Sequence, residues 1–127
     1  MTEPTARFTR PVFARLRRLC LGLPETSETV AWGHPTFRVG TKTFCTFEVI
    51  RDRPSIAFRV PATDIKRLVR LKPFFATPYG RGVWISRWLD GSIDWDEIAG
   101  LVDRSYRHTA IKKARHSPRQ NVTRTEH

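Results

Sequence analysis

The chain has 127 residues, 39% apolar and 28% charged, with 23 Lys and Arg against 12 Asp and Glu, so it carries a formal net charge of +11 at pH 7. One compact core is within reach at this length without disulfides or metals, and eight Phe, four Trp and two Tyr furnish its large side chains, which excludes wholesale disorder. No apolar run approaches the roughly 20 residues that cross a bilayer, so the chain does not read as a membrane protein. Met1–Arg10 has no apolar stretch of the kind that directs secretion, and a cytoplasmic location is expected. In that setting Cys20 and Cys45 are expected to be reduced and buried as small hydrophobes.

From Pro11 the residues Val12, Phe13, Leu16, Leu19, Cys20 and Leu23 fall on one arc about 120° wide, which predicts an amphipathic helix opening at Pro11 and closing at Gly22 and Pro24. The opposite arc carries Arg7, Arg10, Arg15, Arg17 and Arg18, with no acidic residue between Arg7 and Leu23, so a wholly cationic solvent face is expected. From Thr29 the period changes to two. Short runs Val30–Trp32, Thr36–Val39, Thr43–Ile50 and Ser55–Val60 are separated by the turn formers Gly33-His34-Pro35, Gly40-Thr41-Lys42 and Arg51-Asp52-Arg53-Pro54, which predicts an antiparallel meander. Alternation assigns Phe37, Val39, Cys45, Phe47, Val49, Ile56, Phe58 and Val60 to the core face, and Arg38, Phe44, Thr46, Glu48, Ala57 and Arg59 to the other.

Pro61–Leu71 returns to helical spacing, with Thr63 or Asp64 as its cap. Phe74–Thr77 and Val83–Leu89 read as strands around the loop Pro78–Gly82, the second apolar on both parities, so its inward face stays open. Asp94 with Glu97 forms a capping-box-like start to a last helix running to about Ala114. The order predicts an α+β sandwich, an antiparallel sheet with helices packed on one face, as one domain over residues 1–114. Residues 115–127 lack periodicity and are expected to form a disordered basic tail.

The stretches Leu23-Pro24-Glu25-Thr26 and Trp32-Gly33-His34-Pro35-Thr36-Phe37-Arg38-Val39-Gly40, together with Trp84 and Ser105-Tyr106, resemble the MmcQ/YjbR family over roughly Phe8 to Ala114. The resemblance implies a CyaY-like two-layer sandwich similar to frataxin, with two β wings beside helices, and it implies DNA binding. It brings no catalytic residues. The likeness to frataxin also raises iron handling, which relies on clustered acidic oxygen ligands. Only Asp94, Asp96 and Glu97 cluster here, and helix capping accounts for them, so iron binding is not expected.

The cationic excess directs the functional reading. Arg10, Arg15, Arg17 and Arg18, then Arg38 and Lys42, Arg51 and Arg53, Lys66, Arg67 and Arg70, and Lys112 and Lys113 are candidate nucleic-acid contacts, and arginine grips phosphate with paired donors. The leading expectation is a non-enzymatic DNA-binding module that touches the phosphate backbone through Arg-rich helix faces and hairpin tips, without sequence readout. Five such contacts would give a slope of about −4.5 for log K against log salt. Arg38 and Arg59 with Phe44 between them also suggest a stacking platform, although a cross-strand pair with Glu48 explains them more simply.

The alternative is a small interaction module that binds an acidic protein or anionic small molecule at the Gly33-His34-Pro35 turn, using Trp32, His34 and Tyr79. No cofactor is expected. His34 has no Cys, His or Asp at ligand spacing, which argues against a metal site. Ser105 and His108, three apart on a helix, lack a third group to orient the imidazole, which argues against nucleophilic catalysis.

Overall fold

The structure, a computed structural model, describes the backbone of residues 3–78 and 83–115 and the side chains of residues 11–78 and 83–111. The chain runs α1 (Glu3–Leu21), β1 (Thr26–Ala31), β2 (His34–Val39), β3 (Lys42–Ile50), β4 (Arg53–Arg59), α2 (Ala62–Leu68), β5 (Phe74–Ala76), β6 (Trp84–Trp88) and α3 (Trp95–Arg115). The strands form one sheet in the order β1-β2-β3-β4-β6-β5, and every neighbouring pair is antiparallel. This is the expected α+β sandwich. The expected tail beyond Arg115 lies outside the described residues.

The helices cover one face. Leu16 and Cys20 of α1 and Ile98 and Val102 of α3 pack against Phe37, Cys45, Phe47, Ile56, Phe58 and Ile85 in a single buried cluster. Phe13 stacks obliquely on Phe37 and Phe47, with ring centroids 6.4 and 5.1 Å away. Both cysteines are buried and free, as expected, and burial beside Cys20 pushes the Cys45 thiol well above its ordinary value.

Several local expectations give way to longer-range partners. Helix α1 begins at Glu3, so Pro11 stands inside it and not in its first turn. Helix α2 starts after Pro61 with no side-chain cap. Asp64, expected as a cap, instead accepts from Arg67 at 3.4 Å and lies 3.7 Å from Arg104 of α3. At α3 the cap is Asp94, whose Oδ1 accepts from the backbone N–H groups of Asp96 and Glu97 at 3.0 and 3.3 Å. Glu97 does not close a capping box, because it takes the Arg87 guanidinium at 2.9 Å. That pairing settles β6: Ile85 and Arg87 face the helices, and Trp84 and Trp88 face away.

The first hairpin is tighter than the sequence suggests. Its turn is Trp32-Gly33, both residues with positive φ (57° and 79°), so His34 is the first residue of β2 and not part of the turn. Between β2 and β3 the register shifts: Phe37 pairs with Cys45 but Arg38 with Thr43, which leaves Phe44 as an extra, bulged residue. Phe44, expected on the outer face, is therefore turned with Cys45 toward the helices. It is fully buried, edge-on to Tyr106 at 5.7 Å.

A bulge interrupts the ladder, and a carbonyl left inside must find another donor. The buried Ser105 hydroxyl of α3 supplies it, donating to the Phe44 carbonyl at 2.7 Å. Ser105→Ala should therefore destabilise the protein by about 1–3 kcal/mol, read from the midpoint of urea unfolding at unchanged slope.

Candidate ligand site on the open face of the sheet

No described helix covers the second face of the sheet, yet its centre is not exposed. Thr36, Thr46, Ala57 and Ser86 pair across β2, β3, β4 and β6 and are all buried, a floor of small side chains. Larger residues stand around it. A depression of about 620 Å³ is lined by Trp32, His34, Arg38, Glu48 and Trp84 with Ala31, Thr36, Thr43 and Thr46.

The polar groups here are unusually poorly matched. Arg38 and Arg59 each bury Nε without a hydrogen-bond partner, and Arg59 lies over the Trp84 ring, 5.5 Å from its centroid. Glu48 is only 4% exposed, and its Oε2 has no donor. Burial pushes the Glu48 carboxyl above the usual glutamate value, and the charge of nearby His34 brings it part of the way back. The cross-strand ion pair expected between Glu48 and the arginines is not formed among the described residues. Native proteins rarely leave buried polar atoms unpaired; among the described residues five are, three of them on this face and two, Arg87 Nε and Thr109 Oγ1, on the helical side.

Trp32 adds a second irregularity. It is 96% exposed and holds φ at 57°, in the left-handed region where a side chain larger than that of Asn is disfavoured. Neither solubility nor turn chemistry calls for an indole there. Its position at the rim of the depression does.

The candidate cations do not converge. Arg15, Arg17 and Arg18 lie on α1, on the helical side, while Arg38 emerges on the open side. The α1 face is not wholly cationic in its surroundings: Arg17 donates to Glu28 of β1 at 2.6 Å, and Arg15 sits over Trp95 at 4.9 Å. Arg53 is held by Asp90 at 2.6 Å and by the Trp88 ring at 3.8 Å, and the same bond keeps Asp90 below the usual carboxylate range. Arg67 is engaged by Asp64. Lys42 opens β3 and Arg51 follows its end, so the two hairpin tips lie at opposite ends of a nine-residue strand, about 30 Å apart.

Phe44 leaves the proposed stacking surface for the core, and Trp84 takes its place beside Arg59. Trp32 and His34 do meet in the depression, whereas Tyr79 lies outside the described residues, as do the side chains of Arg10, Lys112 and Lys113. Glu48, Thr36, Thr43 and Thr46 were not singled out as site residues. A carboxylate at an outward position of a strand whose other outward neighbour is Thr is the signal that could have found them. The Ser105 hydroxyl is committed to a backbone carbonyl. Among the described residues no group of three or more His, Cys, Asp or Glu could hold a metal ion, and no helix is long and apolar enough to cross a membrane.

Fold and site together define an open-faced antiparallel α+β sandwich with a polar depression on its bare sheet. The chain belongs to the YjbR family, whose model it matches over residues 21–108, a stretch that contains every lining residue of the depression. Among solved structures it is similar to a Pseudomonas syringae protein, at 17% identity and a TM-score of 0.62 over 76% of this chain and 96% of that one. A Deinococcus radiodurans protein with a DUF419 domain aligns at 20% identity and a TM-score of 0.65 over 74% of this chain and 75% of the other. A Bacillus subtilis protein of the DUF1801 family aligns at 16% and 0.61 over 90% and 85%. At these identities the likeness is one of fold. No curated protein matches the sequence.

Two outcomes follow from the misfits at the site. Because the folded Glu48 carboxyl titrates above its ordinary value, its contribution to stability is complete below that value and is lost as pH rises through the raised one. Glu48→Gln, neutral throughout, should match the parent near about pH 4 and show a higher thermal midpoint at about pH 7. Trp32→Asn places Asn-Gly, the favoured pair for this turn, where Trp-Gly stands, and should raise stability by about 0.5–1 kcal/mol in chemical denaturation.

Proposed function

We propose that this chain is a non-enzymatic module that binds an anionic small molecule on the open face of its sheet. The observation that carries this reading is the buried, unpartnered Nε of Arg38 at the depression, with a second such arginine, Arg59, two strands away on β4 of the same face. An anion lying there would accept from guanidinium groups already held in place by the sheet, so little ordering would accompany binding. Trp84 and Trp32 give the same depression aromatic surface, suited to a ligand with a planar part.

A second reading, contact with the phosphate backbone of DNA, draws on the net charge of +11 and on Arg18, Lys42, Arg51, Lys66 and Arg70, which are exposed and form no ion pair among the described residues. It asks for cations on several separated surfaces to act together, and for that reason it stands second.

Tryptophan fluorescence during titration with inorganic pyrophosphate separates the two. The sheet-face reading expects a saturable change that Arg38→Ala weakens about 10- to 100-fold and that a triple Arg15→Ala, Arg17→Ala, Arg18→Ala variant retains. Binding that survives Arg38→Ala sinks it. Retention of duplex DNA that the triple variant abolishes, with a steep inverse dependence on salt, would put the phosphate-backbone reading first.

A further inference from the structure

The depression is not uniformly basic. Arg38 stands four residues after His34 on β2, so its row of the sheet and that of His34 lie about 13 Å apart. At the Arg38 end are Thr43, its cross-strand partner, and Trp84 with Arg59 over it. At the His34 end are Trp32, from the adjoining turn, and Glu48, whose electrostatic partner is His34. A ligand that fills the whole site must therefore offer negative charge at one end and hydrogen-bond donors at the other. The Thr36 and Thr46 side chains form a neutral floor between the ends.

The donor end is the more demanding. Glu48 is 4% exposed and aimed into the depression with one oxygen unsatisfied, so an incoming group that merely excluded water would leave it worse off. A carboxylate is best met by two N–H groups side by side on a rigid edge. Beside it Trp32 presents an indole that is 96% exposed, a stacking surface of the kind used for bases. A planar heterocycle with two adjacent N–H donors, joined by a polar spacer to a phosphate, satisfies the whole arrangement. Guanine is the common base whose pairing edge carries adjacent donors at N1 and N2.

Resting on the sheet-face anion reading above, we infer that the site takes a guanine nucleotide, its base stacked on Trp32 with the N1 and N2 donors on Glu48 and its phosphate at Arg38. The 620 Å³ depression is large enough for a mononucleotide and is open, so a free nucleotide and the terminal nucleotide of a single strand present the same chemistry to it.

Calorimetric titration of the full chain with GMP, AMP, guanosine and inorganic pyrophosphate tests the assignment, with a short single strand ending in a 5′-phosphorylated guanosine as a further arm. GMP is expected to bind at least about 10-fold more tightly than AMP, since AMP places an acceptor against Glu48. Glu48→Gln should abolish that preference while leaving pyrophosphate binding unchanged, which also shows that the variant is folded. Trp32→Ala should weaken GMP about 5- to 100-fold without affecting pyrophosphate. Arg38→Ala should weaken GMP and spare guanosine. Tighter binding of the strand than of GMP would support the same site with a strand end as its natural ligand. Equal affinity for GMP, AMP and pyrophosphate overturns the guanine assignment and leaves the anion site standing. No binding of any phosphate overturns both.

Discussion

The bulge between β2 and β3 is the constraint from which the two faces of the sheet take their character. Strict alternation along β3 would send Phe44 outward between β2 and β4, where its ring would stand between Arg38 and Arg59. The extra residue turns Phe44 inward beside Cys45, adds a large ring to the helical core, and leaves Thr43 outward opposite Arg38. A filled surface thus becomes a hollow one. The cost of the interrupted ladder is offset from the other layer: the Ser105 hydroxyl satisfies the Phe44 carbonyl, and the Tyr106 ring meets the Phe44 ring. Tyr106 also donates to the Pro24 carbonyl at 2.8 Å, so one turn of α3 anchors both the bulge and the entry to the sheet.

The cationic excess divides into two populations with different work. Arg17, Arg53, Arg67, Arg87, Arg104 and Arg107 each sit within reach of a carboxylate, and most of these pairs join separate elements: α1 to β1, β4 to the end of β6, β6 to α3, and α2 to α3. Most are solvent-exposed, and such pairs contribute little each. Arg87 is the exception. Its side chain is nearly buried, and Glu97 and the Trp88 carbonyl accept from its two terminal nitrogens while its Nε has no partner. Arg38 and Arg59 belong to neither the paired set nor the fully solvated one, which is why the open sheet stands out from a chain that is basic nearly everywhere.

Elements governed by local rules were legible in the sequence. The 3.6-residue spacing from Val12 to Cys20, the alternation of Cys45 and Phe47 and of Ile56, Phe58 and Val60 toward the core, and the Asp94 cap all reappear in the structure, because each depends on residues a few positions apart, whereas Val49, expected in the core, is partly exposed near the end of its strand. What escaped depends on pairing at a distance. A bulge is a property of two strands in register, so Phe44 looked like an outward residue. The partner of Arg17 is eleven positions away, across a turn, and α1 read alone seemed to have no counter-charge. His34 looked like a turn residue because Gly-His-Pro is rich in turn formers, whereas the hairpin closes one residue earlier at the cost of a left-handed Trp32. The site suffered most: Trp32, His34 and Arg38 were visible as candidates, but their joining with Glu48 and Trp84 needs the order β1-β2-β3-β4-β6, which no local pattern encodes.

Buried polar atoms without a partner occur in both layers, and three of the five among the described residues lie on the open face. In the helical layer Ser105 is answered by Phe44, an Arg87 terminal nitrogen by Glu97 and the first turn of α3 by Asp94, while Arg87 Nε and Thr109 Oγ1 are buried there without a partner. On the open face a buried carboxylate oxygen has no donor, two buried guanidinium nitrogens have no acceptor, and an exposed indole occupies a backbone conformation that Asn or Gly would hold more readily. Each could be relieved by a single substitution without disturbing the core. Features that lower stability, and that one change would remove, persist where binding requires them. Those around the depression, on opposite sides of a neutral floor, are what supports the proposal of a ligand whose two ends differ in charge.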